Sequence, residues 1–347
     1  MIDTTYEQFS SQLLDKINEK LGEADSGIKE VSLTNANKNN DNNAFSLTAR
    51  FREGDEIAPS LYTRPMYDAY NAGASIDELA DRAIRTFEAR HGEGAKMGFD
   101  VSSINPESAQ DHLFFKLVNG EMNPEMKANC AHVEVQDLIA VPRWSVFKDG
   151  DGIGSILVDR NFQTNLLHMT DEEVLKICRD NLREQEFKVQ GLSEVLREMM
   201  PGMPEEVAAE MLPPMEEPEK MYVLTNEEKV DGAIALMSKD ALEQVHEKIG
   251  EDFYVIPSSI HEVLCVPESA VEDPHDLKIM CEDVNATQVA LQDRLGDNIY
   301  HCDGHNLNIC NTREQLADIR EAKAETIGAD VTEGMAEAVG HSAGRGM

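Results

Sequence analysis

The sequence predicts an α+β fold with mixed or antiparallel sheets, flanking helices and two lobes. Segments with a strand pattern alternate irregularly with helical segments, and several are joined by short hairpin turns rather than by crossover helices. The chain of 347 residues is also long for a single compact core. A stretch rich in Pro, Met and Glu then interrupts the pattern, which is typical of a connection between lobes.

These observations divide the chain into four parts. We expect an N-terminal α+β lobe over residues 1–198, a Met/Pro/Glu-rich connector over 199–220 and a C-terminal α+β lobe over 221–325. The last residues, 326–347, are rich in Gly and Ala and predict a flexible tail.

The N-terminal lobe is predicted to begin with an amphipathic helix, because Tyr6, Phe9, Leu13 and Ile17 recur at helical spacing. Two strands, two helices, a strand, a short helix, two strands around an Asp-Gly turn and a further helix are expected next. Their segments are GIKEVSLTNA, NNAFSLTARF, PMYDAYNAG, SIDELADRAIRTFEARHG, DHLFFKLVNG, NPEMKAN, VQDLIAVPRWSVFKDGDGIGSILVDR and TDEEVLKICRDNLREQEF.

Cap residues mark several of these helices. Ser75 precedes one helix and Glu78 follows three residues later, so the pair predicts a capping box. In the C-terminal lobe, Ser238 is expected to open the helix SKDALEQVHEKIG, and Pro274 lies in the first turn of DPHDLKIMCEDVN. The other C-terminal elements are predicted to be strands in MYVLTN, GAIALM and YVIPSSIHEVLCVP, a hairpin in NIYHCDGHNLNIC and a last helix in TREQLADIREAKAE.

The charge of the chain limits its partners. It has 66 acidic and 31 basic residues, a net charge of −35. Such a field repels nucleic acid and anionic membranes, so neither is an expected partner. A protein with solvated acidic faces explains this composition most simply. There are two alternatives. The chain could be an acidic mimic of DNA that binds to the nucleic-acid site of a basic protein, or its acidic surface could bind cations.

The expected location is the cytoplasm. The N-terminal segment has neither a basic region nor the continuous apolar core of a signal peptide, and no run of the sequence is long enough to span a bilayer. The six cysteines are scattered without a CxxC pair, so we expect reduced thiols rather than disulfides.

The segment YVIPSSIHEVLCVP contains the best catalytic candidates, Ser258, Ser259, His261 and Glu262. It does not match the HExxH helix of zinc proteases, because Cys265 stands where the second histidine is needed. It also lacks the GxSxG pattern of a nucleophile elbow. On a strand, successive side chains point to opposite faces, so His261 and Glu262 would diverge.

Two interpretations of this segment stay open. In the first, it is a proline-led turn in which the serine hydroxyls cap backbone groups and His261 makes a structural hydrogen bond. In the second, Ser259, His261 and Glu262 form an active site together with Asp303 or His305 from the neighbouring hairpin.

No cofactor or metal is expected. The sequence has no Walker A motif and no dinucleotide-binding glycine pattern. His301, Asp303 and His305 are the best metal-ligand candidates, but with the neighbouring cysteines they do not match a closed zinc pattern. Asp303-Gly304 is also the dipeptide that a hairpin turn favours.

Five segments together carry a family resemblance. In chain order they are IAPSLYTRPMYDAYNAGASIDELADRAI, FFKLVNGEMNPEMKANCAHVEVQDLIAV, KMYVLTNEEKVDGAIALM, DFYVIPSSIHEVLCVP and VNATQVALQDRLGDNIYHCD. The chain resembles a domain-of-unknown-function family of anaerobic gut bacteria, whose members are often encoded among mobile-element genes. The resemblance runs from the first helix to the hairpin at Cys310 and implies kinship without an activity.

Three functions follow as hypotheses. The favoured one is a non-enzymatic cytoplasmic protein that binds another protein, as an accessory of a mobile element. The second is an enzyme of undescribed type that uses the Ser258–Glu262 segment. The third is an acidic DNA-mimic inhibitor of a nucleic-acid-binding protein. The enzyme hypothesis predicts a pocket in which His261 meets a carboxylate and a serine.

Overall fold

The computed structural model describes residues 4–23, 27–51, 58–97, 103–149, 152–200 and 219–324. The chain forms two compact units, residues 1–182 and 183–347. Most of the expected connector, residues 201–218, and all of the expected tail lie outside the described residues. Helices flank three antiparallel sheets, so the predicted α+β class is confirmed.

The N-terminal part of the first unit contains a three-stranded antiparallel sheet in the order β1-β2-β3. Its strands are β1 (Glu30–Lys38), β2 (Asp41–Arg50) and β3 (Ser60–Tyr62). Its helices are α1 (Tyr6–Glu23), α2 (Arg64–Asn71) and α3 (Ile76–Met97).

The apolar residues of α1 that recur at helical spacing form the core of this part of the unit. Phe9, Leu13 and Ile17 of α1 are fully buried, in one cluster with Leu47 of β2 and Phe87 of α3. Burial of each such side chain contributes about 1.5–3 kcal/mol.

The capping box at the start of α3 is also confirmed. The backbone N–H of Glu78 donates to Ser75 Oγ at 3.2 Å, and the backbone N–H of Ser75 donates to Glu78 Oε2 at 3.1 Å.

The first unit also contains a four-stranded sheet in which the long strand β6 pairs with all three others. The strands are β4 (Leu113–Asn119), β5 (Val133–Val135), β6 (Leu138–Asp149) and β7 (Gly152–Leu157). The helices of this part are α4 (Ala109–His112), α5 (Pro124–Asn129), α6 (Arg160–Phe162, followed by a π-helical turn, Gln163–Leu167) and α7 (Asp171–Glu184). The single tryptophan, Trp144, is fully buried on β6.

The second unit is built on a six-stranded sheet in the order β13-β12-β10-β11-β9-β8. The strands are β8 (Phe187–Gly191), β9 (Tyr222–Asn226), β10 (Phe253–Ile256), β11 (Val263–Pro267), β12 (Tyr300–Cys302) and β13 (Leu307–Ile309). The helices are α8 (Leu192–Glu198), α9 (Lys239–Ile249), α10 (Pro274–Thr287) and α11 (residues 313–324). The second unit begins at residue 183, so β8 and α8 lie in it, whereas the N-terminal lobe predicted from the sequence extends to residue 198.

Both faces of this sheet are covered, which explains its continuous apolar runs. All four residues of β10 are buried. Tyr254 and Ile256 pack in one cluster with Cys281 of α10, and Leu316 and Ile319 of α11 pack against that cluster. Phe253 and Val255 point to the other face of the sheet and are fully buried there.

One predicted strand is wrong. GAIALM forms a 3-10 helix, Gly232–Met237, in place of a strand. Its first five residues are buried, so its apolar character reflects burial, and burial alone does not distinguish a short strand from a short helical turn. The preceding residue, Asp231, has a left-handed backbone with φ 54°, which turns the chain into this helix. Ser238 then caps α9 as predicted, accepting the backbone N–H of Ala241 at 3.2 Å.

Two further observations concern the hydrophobicity of the helices and the state of the cysteines. Among the described residues, no helix combines the length and the apolar character that crossing a bilayer requires. All six cysteines are buried and free. Burial raises the pKa of Cys302 to about 12 and that of Cys310 to about 11, so these thiols stay protonated at neutral pH.

Candidate functional site

The Ser258–Glu262 segment is the loop between β10 and β11, and its own polar groups hold it together. Ser259 Oγ donates to Glu262 Oε1 at 3.2 Å and accepts the backbone N–H of His261 at 3.0 Å. The backbone N–H of Ser259 donates to the Glu262 carbonyl at 3.2 Å. Ser258 contributes its backbone N–H, which donates to the Ile256 carbonyl at 2.9 Å.

The ring of His261 contacts two residues from other parts of the second unit. Its Nδ1 accepts the backbone N–H of Asp231 at 3.2 Å. Its Nε2 lies 3.7 Å from Asp293 Oδ1, and 34% of the side chain is exposed. A neutral imidazole that accepts through Nδ1 carries its proton on Nε2, so this proton faces the Asp293 carboxylate.

Within the part of the chain that the structure describes, the ring of His261 approaches a carboxylate but contacts no serine hydroxyl. Activation of a serine by histidine needs the hydroxyl within hydrogen-bond reach of an imidazole nitrogen. The hydroxyl of Ser259 donates instead to Glu262. The catalytic roles of Ser258, Ser259, His261 and Glu262 therefore stay a prediction, while the contacts within the loop account for its shape.

The strand register places the Ser258–Glu262 loop and the turn of the neighbouring hairpin at opposite ends of β10. Phe253 of β10 lies opposite Cys302 of β12, and Val255 lies opposite Tyr300. The turn that contains Asp303 and His305 is consequently at the Phe253 end of β10, whereas the Ser258–Glu262 loop begins at the Ile256 end. The residues that do reach His261, Asp231 and Asp293, are 30 and 32 positions away in sequence, and no local motif marks them.

The three metal-ligand candidates occupy different environments. His301 is 2% exposed on β12. Asp303 forms the expected turn, where its Oδ1 accepts the backbone N–H groups of His305 at 3.1 Å and Asn306 at 2.8 Å. His305 is exposed, and its Nδ1 lies 3.1 Å from Glu243 Oε1.

His301 lies close to two acidic residues that are not among the candidates predicted from the sequence. Nε2 of His301 lies 2.6 Å from Glu268 Oε2. One ligand atom each from Asp252, Glu268 and His301 lie within 4.8 Å of one another. We call these three residues the histidine–carboxylate cluster. Asp252 directly precedes β10 and Glu268 directly follows β11, which places both at the same end of that strand pair.

Two cationic side chains of α11 contact the histidine–carboxylate cluster. Arg320 donates to Glu268, and Lys323 Nζ donates to Asp252 Oδ2 at 2.7 Å. Burial raises the pKa of Glu268, but the hydrogen bonds from His301 and Arg320 and the charge of Arg320 together hold that pKa below its usual range. The hydrogen bond to Asp252 raises the pKa of Lys323. This cluster is thus a charged network with a buried imidazole at its centre.

Comparison with known proteins places the chain in a family. The model of a family of unknown function (DUF5688) matches residues 6–303. The chain belongs to this family. Comparisons with the curated proteins and with the solved structures gave no match. The matched range includes the Ser258–Glu262 loop and the histidine–carboxylate cluster, and it ends before α11.

Proposed function

We propose that this member of DUF5688 is a non-enzymatic cytoplasmic protein that binds another protein through the outer face of α10. A role as an accessory of a mobile element is part of the same proposal. The observation that carries it is an exposed apolar surface on that helix. Ile279, Met280 and Val284 are 46%, 40% and 41% exposed, and we call these three residues the α10 ridge.

The position of the α10 ridge distinguishes it from ordinary surface residues. Single exposed apolar side chains are common, whereas groups of them mark interaction sites. Within the described residues six large hydrophobic side chains are exposed, and half of them belong to this one helix. Met280 and Val284 are one helical turn apart, so their side chains are neighbours. The buried side of α10 is separate, because Cys281 and Asn285 face the core.

The surroundings of the ridge indicate the chemistry of the partner. Asp276, Glu282 and Asp283 are exposed on the same helix. The whole chain carries a net charge of −35. A complementary partner therefore has an apolar groove with basic residues at its rim, because electrostatic complementarity steers association and apolar burial supplies the affinity.

The test is a pull-down from a lysate of the source organism with the full chain, at about 50 mM and about 500 mM NaCl. The M280E/V284E variant places two charges on the ridge. The matched control is H275E, which adds a charge to an exposed position of the same helix. His275 is five residues from Met280 and nine from Val284, so its side chain is a neighbour of neither substituted residue.

We expect a partner that wild type and H275E retain at both salt concentrations and that M280E/V284E loses. A partner retained only at low salt, and equally by M280E/V284E, would overturn the proposal in favour of an acidic DNA mimic. Absence of any captured partner would also overturn it.

A further inference from the structure

The histidine–carboxylate cluster has the composition and spacing of a metal site. Its ligand atoms lie within 4.8 Å of one another. Ligand atoms on one Zn²⁺ ion are about 2.0–2.2 Å from the metal, so two of them are at most roughly 4.4 Å apart. Small side-chain adjustments of Asp252, Glu268 and His301 are therefore enough to bring one ligand atom of each residue into contact with a single ion.

The positive charge that now balances the cluster comes from outside the family-matched range. Asp252, Glu268 and His301 lie within residues 6–303, whereas Arg320 and Lys323 lie beyond them. The side chains of Arg320 and Lys323 are 59% and 41% exposed. Ion pairs with such exposure contribute little stability, so both head groups can move into solvent at small cost.

We propose that Asp252, Glu268 and His301 bind a divalent transition-metal ion, and that Arg320 and Lys323 compete with it for the two carboxylates. One imidazole nitrogen with carboxylate oxygens suits Zn²⁺ or Mn²⁺. His246 is adjacent, since its Nε2 lies 3.3 Å from Asp252 Oδ1.

The proposal is tested by calorimetric titration of the full chain with Zn²⁺. The R320Q/K323Q variant removes both competing charges and retains polar, though shorter, side chains. We expect this variant to bind one Zn²⁺ per chain at least tenfold more tightly than wild type. Adding H301Q to it should lower the affinity by at least tenfold.

The control is H305Q in the same R320Q/K323Q background. His305 is an exposed histidine beside a carboxylate, so it reports weak surface binding. Its removal should leave the Zn²⁺ affinity unchanged. Equal affinity of wild type and R320Q/K323Q would overturn the proposal, and so would tight binding that survives H301Q.

A second comparison covers the case in which R320Q/K323Q does not fold. The single variant K323Q removes the charged contact to Asp252 Oδ2 and leaves the contact between Arg320 and Glu268 in place. It should bind Zn²⁺ more tightly than wild type, and circular dichroism shows whether each variant is folded. An affinity of folded K323Q equal to that of wild type would overturn the proposal. Because the α10 ridge is not involved, the result is independent of the protein-binding function.

Discussion

At the residue scale, Asp41 is an example of a buried charge with specific partners. It is 5% exposed, and Arg64 donates to both of its oxygens, at 3.0 and 3.1 Å. Tyr62 donates a third hydrogen bond to the same carboxylate. Burial raises the pKa of Asp41, but the hydrogen bonds from Arg64 and Tyr62 and the charge of Arg64 together lower it below its usual value.

Replacing Asp41 with Asn should therefore destabilise the first unit in a pH-dependent manner. At pH 7 we expect a loss of about 2–3 kcal/mol, because the amide cannot accept the charge-assisted bonds that the carboxylate accepts. A carboxylate whose pKa is lower in the folded state than in the unfolded state stabilises the fold at every pH above its unfolded-state pKa. That contribution is lost as the pH falls through the folded-state value. Urea unfolding from pH 7 to pH 3 should show the difference between wild type and D41N shrinking at the acid end.

The control for D41N is D77N. Asp77 is an exposed carboxylate paired with Lys16 and Lys20, and its replacement should change stability little. Equal effects of D41N and D77N, or a difference that does not change with pH, would contradict this account of Asp41.

At the element scale, what the sequence predicts depends on the length and periodicity of each segment. Long helices with a clear stripe, such as α1 and α3, and strands joined by short turns were predicted and are confirmed. β8 was missed, although Phe187-Lys188-Val189-Gln190 alternates in polarity as an edge strand does. The 3-10 helix at Gly232 was missed because an apolar run of this length has no period of its own.

The site was less accessible to sequence reasoning, because its contacts depend on strand register. Asp231 and Asp293 reach His261 only through tertiary packing. The sequence does contain one indication of the histidine–carboxylate cluster. Asp252 and Glu268 flank the hairpin that was predicted, and antiparallel pairing brings the two ends of a hairpin together.

At Gly232 the 3-10 helix lies very close to β9 and to the Ser258–Glu262 loop, and a substitution there tests this close contact. A Cβ added there would lie 2.3 Å from Thr225 Oγ1, 2.5 Å from the His261 carbonyl oxygen and 2.8 Å from the Asn226 backbone nitrogen. Two of these atoms are backbone, so the chain must shift to relieve the contacts. We expect G232A to lower the free energy of unfolding by about 2–3 kcal/mol, as measured by urea denaturation.

The control is a glycine of a helix with free space around it. A Cβ at Gly22 of α1 would meet nothing within 4 Å. G22A should therefore raise the free energy of unfolding by about 0.5 kcal/mol, because Ala has a higher helix propensity than Gly. A G232A protein as stable as wild type would show that the 3-10 helix can move away from the strand.

At the scale of the whole molecule, the charge imbalance has a consequence for stability. Sixty-six acidic side chains against 31 basic ones repel one another in the compact state, and this repulsion favours unfolding. The screening length falls from about 30 Å at 0.01 M salt to about 8 Å at 0.15 M. Salt weakens surface ion pairs too, but such pairs are individually small, so relief of the repulsion should dominate.

We therefore expect the melting temperature at pH 7 to rise by several degrees between about 10 mM and about 150 mM NaCl, as measured by circular dichroism. The same titration near the isoelectric point, pH 4.5, is the control, because the net repulsion is then small. The rise should be much smaller there. If the melting temperature fell with salt at pH 7, the surface ion pairs, and not the excess of negative charge, would be the larger electrostatic contribution to stability.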